Sequence, residues 1–239
     1  MIKAVLWDID GTLLDFLKAE KHGIRTCFAK YNLGECTDAM LARYSEINRQ
    51  WWQRLERGEC TKPEVLEGRF FEFFQAEGLP TDCVPEFNKS YQFHLGDHAF
   101  FCDGGEEVID ALKGRVKQYA ITNGTALAQD RKLKNSGLDC LLDGIFISER
   151  VGFEKPDLRF FDAVFAAIPF KKEECIIVGD SLTSDIRGGM NAGIRTAFYN
   201  PKNILPPDEY HIDYNIRNLA EVINIIKMEE SNNGSIKNQ

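Results

Sequence analysis

Four aspartates, one lysine and one Thr-Asn-Gly turn carry the reactive groups of this chain. Asp8 and Asp10 lie one residue apart in IKAVLWDIDGTLL, directly after an apolar run, and Gly11 and Thr12 turn the chain behind them. Asp180 ends a second apolar run in IIVGDSLTSD, with Asp185 five residues further on. Thr122, Asn123 and Gly124 close a third run, VKQYAI, where a hydroxyl and the free N–H groups of a turn make a phosphate-sized anion pocket. Lys155 stands in Phe153-Glu154-Lys155-Pro156-Asp157, just ahead of a helix that Pro156 helps to start.

Each piece also has a plainer reading. Asp-x-Asp-Gly opens calcium loops, but an EF-hand needs glycine sixth and glutamate twelfth, where this chain has Leu13 and Ala19. The first two aspartates can simply cap a turn, Thr-Asn-Gly can be an ordinary turn, Lys155 a solvated charge, and Asp185 a helix-start carboxylate. The joint arrangement favours chemistry, because all the pieces fall at strand ends of one sheet and should converge. Four carboxylates within a few ångströms then repel one another, each pair ~4 Å apart by about 4 kcal/mol at an effective dielectric near 20. Such a cluster requires a cation. Oxygen donors without convergent His or Cys favour Mg²⁺ over zinc, and Mg²⁺ commonly keeps waters and takes phosphate oxygens.

The elements that must position these groups alternate. Ile2 to Trp7 is short and apolar without a period of two, as in a parallel strand covered on both faces. From about residue 100, helices are predicted over 106–113, 126–136, 158–168, 185–192 and 219–228, and strands over 116–122, 144–148, 175–180, 195–199 and 213–216. That alternation implies right-handed βαβ units and a Rossmann-like parallel sheet, whose carboxyl edge is where ligands bind. The stretch from 15 to about 95 differs: its spacing predicts helices over 17–31, 38–56, 63–77 and 82–95, with Trp51, Trp52, Phe70, Phe71, Phe73 and Phe74 in a small bundle core. The fold class is α/β, a core of residues 1–15 and 96–228 with an inserted all-helical cap at 16–95, placed to act as a lid. The polar tail 229–239 is expected to be disordered.

Composition excludes several classes. With 44% hydrophobic and 28% charged residues, the 239-residue chain is an ordinary globular one. A formal charge of −8 and no basic stripe exclude a nucleic-acid polymer or an anionic membrane as main partner, and an anionic substrate needs locally supplied positive charge. No apolar run approaches the ~20 residues of a membrane span, and Asp8 and Asp10 stand where a signal peptide needs its apolar region, so a cytoplasmic monomer or homodimer is expected. Seven cysteines without a Cys-x-x-Cys pair read as reduced core fillers, and the four histidines lack metal-ligand spacing.

Taken in order, DIDGTL at 8–13, TNG at 122–124, KP at 155–156 and GDSLTSD at 179–185 resemble the motif set of the haloacid dehalogenase (HAD) superfamily. The resemblance spans essentially the whole core, with a helical, C1-type cap after the first motif. It implies that Asp8 is the nucleophile that becomes phosphorylated and Asp10 the general acid and base. It further implies that Thr122, the Asn123 backbone and Lys155 hold the phosphoryl oxygens. Mg²⁺ would be bound by Asp8, the Asp10 carbonyl and Asp180, with Asp185 acting directly or through water. Dehalogenases of the superfamily lack an acid at the place of Asp10, so phosphate ester hydrolysis is favoured over carbon–halogen cleavage.

The cap segment YSEINRQWWQRLERGECTKPEVLEGRF, with Tyr44, Asn48, Trp51, Gly58, Arg69 and Phe70, looks like that of the superfamily's nucleoside 5′-monophosphate phosphatases, the house-cleaning pyrimidine nucleotidases. ITNGTALAQDRKLKNSGL and ISERVGFEKPD are similar to the same group. The expected function is Mg²⁺-dependent hydrolysis of a small phosphomonoester, a nucleotide. The alternatives are a sugar-phosphate phosphatase, a phosphomutase, and, from another class, a phospho-acceptor signalling domain. Asp10 and a cap of ~80 residues speak against the last.

Overall fold

The computed structural model describes residues 1–236, with side chains through Ser231. It divides into two compact units, one of Met1–Asp15, Phe101–Gly124 and the chain from Gly137 onward, the other of Phe16–Phe100 and Thr125–Ser136.

In the first unit six parallel strands, β1 (Ala4–Trp7), β2 (Lys117–Thr122), β3 (Gly144–Ile147), β4 (Cys175–Gly179), β5 (Arg195–Tyr199) and β6 (Tyr214–Ile216), form one sheet in the order β3-β2-β1-β4-β5-β6. All of β1 is buried, as its unbroken apolar run requires, and Trp7 lies in register with Ala120 on one side and Val178 on the other. Alternate residues Ala4, Leu6, Tyr119, Ile121, Cys175 and Ile177 pack on Phe160, Phe161 and Val164 of the helix Leu158–Ala167. On the other face the indole of Trp7 donates to Gln118 Oε1 at 3.1 Å, and Gln118 Nε2 donates to the Ile109 carbonyl at 2.9 Å, so buried polar groups there are satisfied. Strand order reverses on either side of β1, and the carboxyl ends of the strands open on a crevice at such a switch point.

The second unit is a helical bundle of α1 (Phe16–Lys30), α2 (Asp38–Glu56), α3 (Lys62–Ala76) and α4 (Val84–His94), joined by the helix Ala126–Ser136. A capping box of Thr61 and Glu64, with Pro63 in the first turn, starts α3. Phe28, Tyr44, Phe70, Phe73, Phe74, Phe87 and Tyr91 fill its core, with ring centroids as close as 4.9 Å for Phe74 and Phe87. Phe71, expected in that core, is 46% exposed, because the 3.6-residue period turns it away from the face shared by Phe70, Phe73 and Phe74. Trp51 and Trp52 are half-buried.

The unit also extends beyond the expected 16–95. Its boundary falls at Phe100, and Ala126–Ser136 groups with it: Ala128 sits in the aromatic core, Thr125 Oγ1 donates to Gln92 Oε1 at 2.7 Å, and Arg131 pairs with Asp97 at 2.6 Å. At the carboxyl end, the helix Glu221–Ile236 runs through most of the stretch whose composition predicts disorder. Tertiary pairing overrides composition there, since Glu229 meets Arg195 at 3.2 Å and accepts from the Tyr214 hydroxyl, while Glu230 meets Arg115 at 2.8 Å. Residues 237–239 lie outside the described residues. All seven cysteines are free, but only Cys27, Cys36 and Cys175 are buried, and Cys140 is exposed. Among the described residues no helix is long and apolar enough to cross a membrane.

A polar cluster interrupts the apolar interior of the bundle. Glu20, 2% exposed, accepts the Ser45 hydroxyl and Asn48 Nδ2, and burial pushes its carboxyl up from 4.5 to about 7 despite Ser45, Arg69 and Asn48 drawing it down. A carboxyl raised on folding contributes stability that is fully present below the unfolded value and is lost as pH rises through the folded one. Glu20→Gln cannot ionise. Relative to the parent, its stability in urea denaturation is therefore expected to improve by on the order of 2 kcal/mol between pH 5 and pH 8. A difference that does not change with pH would mean that Glu20 does not titrate in this range.

Candidate active site

The first unit brings its acids to the carboxyl edge of the sheet. The Asp8 amide donates to the Val178 carbonyl at 2.9 Å, so the β1–β4 ladder holds Asp8 at the centre of that edge. Thr122 ends β2, and Asp180 directly follows β4. Lys155 arrives from the loop after the short helix Ser148–Val151 and is 1% exposed. Its Nζ donates to Asp8 Oδ1 at 2.7 Å, Asp185 Oδ1 at 2.6 Å and the Ile121 carbonyl at 2.8 Å, which occupies all three ammonium hydrogens. Lys155 is thus an internal counter-ion and not a solvated charge.

Asn123 holds that lysine by its side chain. Its Nδ2 donates to the Lys155 carbonyl and its Oδ1 accepts from the Lys155 amide, both at 2.8 Å. The Thr122 hydroxyl, buried, accepts from the Gly124 amide at 3.1 Å and keeps its own proton to donate. Asp185 lies in a π-helical turn, Leu182–Ile186, and not in the first turn of the helix Arg187–Ala192 as its spacing predicts. Its Oδ2 accepts from the Ser181 amide at 3.1 Å, so one oxygen is tied to the backbone and the other to Lys155.

Asp8, Asp180 and Asp185 each offer an oxygen within 4.8 Å of the other two, with Asp8 and Asp185 buried and Asp180 exposed. Of the four carboxylates expected to converge, three do; the Asp10 side chain, half-buried in the loop beyond β1, stands outside this set among the described residues. Burial holds the Asp8 carboxyl well above the usual carboxylate range; Lys155 opposes this, and Asp185 and Asp180 add to it. Burial also works against the Lys155 charge, but Asp185 and Asp8 more than offset it and keep the ammonium above its ordinary value. Three carboxylates facing one ammonium carry an excess of negative charge that a divalent cation would cancel, and a donor set of carboxylate oxygens fits a hard ion such as Mg²⁺.

Three further residues, given only a turn or motif place by the sequence, support this centre. Thr12 Oγ1 donates to Asp180 Oδ1 at 3.1 Å. Gly11, at φ +93°, passes so close to Asp180 that an added Cβ would lie 2.5 Å from its Oδ2. At Gly179 a Cβ would stand 2.2 Å from Asp185 Cγ. The glycine preceding Asp180 and the hydroxyl residue following Gly11 are the cues that would have found them. Gly179→Ala must displace Asp185 and is expected to destabilise the protein by about 1–3 kcal/mol in thermal or urea denaturation. An unchanged midpoint would show that the Asp185 side chain has room to move.

A family model described as haloacid dehalogenase-like hydrolase matches residues 2–193. The HAD-hydrolase YfnB of Bacillus subtilis (strain 168) is 35% identical over 230 residues, 96% of this chain and 97% of that protein. Its orthorhombic crystal structure, described as bound to magnesium and as revealing interdomain movement, matches with a TM-score of 0.89 over 94% of this chain and 98% of that one. The pyrimidine 5′-nucleotidase PynA of Streptococcus pneumoniae is 35% identical over 204 residues, 84% of this chain and 85% of that protein. The pyrimidine 5′-nucleotidase YjjG of Escherichia coli (strain K12) is 28% identical over 219 residues, covering 91% and 95%.

Proposed function

The chain belongs to the haloacid dehalogenase-like hydrolases, and from that premise we propose that it is a Mg²⁺-dependent phosphatase of nucleoside 5′-monophosphates, pyrimidine nucleotides above all. The observation that carries this reading is the buried Lys155 ammonium, 2.7 Å from Asp8 and 2.6 Å from Asp185, at the centre of the sheet's carboxyl edge. The names of PynA and YjjG support the choice of substrate.

In the proposed reaction an Asp8 oxygen attacks phosphorus and the ester P–O bond breaks, while Asp10 gives its proton to the departing alkoxide. Asp10 then takes a proton from water, which attacks the phospho-aspartyl phosphorus and returns Asp8 and inorganic phosphate. Lys155, kept charged by its two carboxylates, places its positive charge beside the phosphoryl group, and the Thr122 hydroxyl donates to a phosphoryl oxygen as charge builds on it. Asn123 acts through the Lys155 backbone that it clamps. Mg²⁺ would be held by Asp8, Asp180, Asp185 and the Asp10 carbonyl, and would supply the remaining positive charge beside the phosphoryl group.

A phosphomonoester panel with free-phosphate detection tests the reading. Pyrimidine nucleoside 5′-monophosphates are expected to give the highest kcat/KM, with activity lost on chelation and restored by Mg²⁺. Faster turnover of pentose or triose phosphates would replace the nucleotidase reading with a sugar-phosphate phosphatase. Return of the phosphoryl group to substrate would indicate a mutase, and a stable phospho-Asp8 a signalling domain.

A further inference from the structure

Three of the chain's four histidines meet around one aspartate within the helical unit. His22 lies on α1 and His94 ends α4, while Asp97 and His98 follow in residues 95–100, where the chain leaves this unit for Phe101 of the other. His94 Nδ1 lies 2.6 Å from Asp97 Oδ2, and His22 Nε2 lies 3.7 Å from the same oxygen. Arg131 Nη2, from the helix Ala126–Ser136, donates to Asp97 Oδ1 at 2.6 Å. The His98 ring stands edge-on to the His22 ring, at 81° with centres 4.3 Å apart, and lies 5.9 Å from the Phe100 ring.

The two parts of this segment are held by different forces. Asn135 Nδ2 donates to the Gly96 carbonyl at 2.7 Å and Arg131 grips Asp97, and neither contact needs a histidine proton. The exposed His98 is held ring against ring. Burial pushes the Asp97 carboxyl up, but His94 and Arg131 more than offset it and keep the group below its ordinary value. With neutral imidazoles, the Asp97 and Arg131 charges therefore cancel. Around His22, the Thr26 hydroxyl lies 3.5 Å from Nε2, and Cys27, its thiol pushed up to about 11 by burial, adds no charge.

Imidazole is the side chain that ordinarily gains its proton between about pH 5 and 8. Protons on His94 and His22 face Asp97 and are favoured by it. A proton on His98 meets the His22 imidazolium instead. One carboxylate then faces four cations, and two of them share a ring contact in which like charges repel.

We propose that the His22–His98 contact is a proton-operated catch on the end of the helical unit, closed while the rings are neutral and released on acidification. Residues 94–97 stay in place on Arg131 and Asn135, and residues 98–100 come free. The catch is independent of the reaction at Asp8.

The test reads nuclear Overhauser contacts between ring protons at pH 8 and pH 5, with histidine and phenylalanine protonated in an otherwise deuterated chain. It compares the parent with His98→Phe, which keeps an aromatic ring that cannot be charged. The parent is expected to show the contact between residues 22 and 98 at pH 8 and to lose most of it at pH 5, while Phe93 and His94, 5.4 Å apart, keep theirs. His98→Phe is expected to keep the contact at pH 5. A parent that keeps it at pH 5, or lacks it at pH 8, overturns the proposal. So does its absence from His98→Phe at pH 5, which would put the trigger elsewhere. If the bundle-core rings of Phe70 and Phe74 lose their folded resonances in the same step, the release is not local and the proposal also fails.

Discussion

Asp8→Asn is expected to lower phosphate release by on the order of 10⁴-fold or more while leaving the fold intact. An amide has the shape of the carboxylate but does not attack phosphorus, so neither half of a phospho-aspartyl route can begin. Its carbonyl oxygen can still accept from Lys155 Nζ, which is 2.7 Å from Asp8 Oδ1. Burial already disfavours the charged form of Asp8, so a neutral residue of the same size removes a strained ionisation. The melting temperature of the variant should therefore equal or exceed that of the parent. Phosphate assays at saturating Mg²⁺ beside thermal denaturation check both halves, and a residual rate above about 1% of the parent would remove Asp8 as nucleophile.

Lys155→Met is expected to fail in the opposite way, losing stability and activity together. Its ammonium is the buried counter-charge shared by Asp8 and Asp185, at 2.7 and 2.6 Å. Removing one partner of a buried ion pair leaves uncompensated charge and costs about 3–5 kcal/mol. Losing a preorganised positive group beside the transferring phosphoryl costs about 10²–10³ in turnover. With three carboxylates left unopposed, Mg²⁺ should raise the variant's melting temperature by more than the parent's, measured with and without chelator. A variant within about 1 kcal/mol of the parent would mean that Lys155 does not act as the counter-charge of these carboxylates in the folded protein.

These two outcomes differ because one substitution removes a group whose charge the interior already resists, and the other removes the group that makes neighbouring charges tolerable. The same contrast separates what could be read from the chain. The alternation of strands and helices is legible because apolar runs and turn residues are short-range features; β1, β2, β4 and β5 lie where their runs predict. Lys155 alone reads as an exposed lysine, since nothing within FEKPD reveals that Asp8, 147 residues away, and Asp185 will enclose it. Phe71 and the tail after Met228 fail for related reasons: helix phase decides the first, and ion pairs to Arg115 and Arg195 hold the second.

By itself the sequence determined the fold class, the insertion of a helical unit after β1, and which residue types reach the sheet's carboxyl edge. Strand ends, glycines and carboxylates are properties of single positions and their near neighbours. Only the tertiary structure decided how those groups share charge. It separated three converging carboxylates from Asp10 and turned the Asn123 side chain into a clamp on Lys155. It also set Asp185 in a π-helical turn against Gly179 and buried Glu20 among Ser45, Asn48 and Arg69. Hydrogen bonds and ionisation depend on distances of a few ångströms and on exclusion of water, and only the packed chain fixes those.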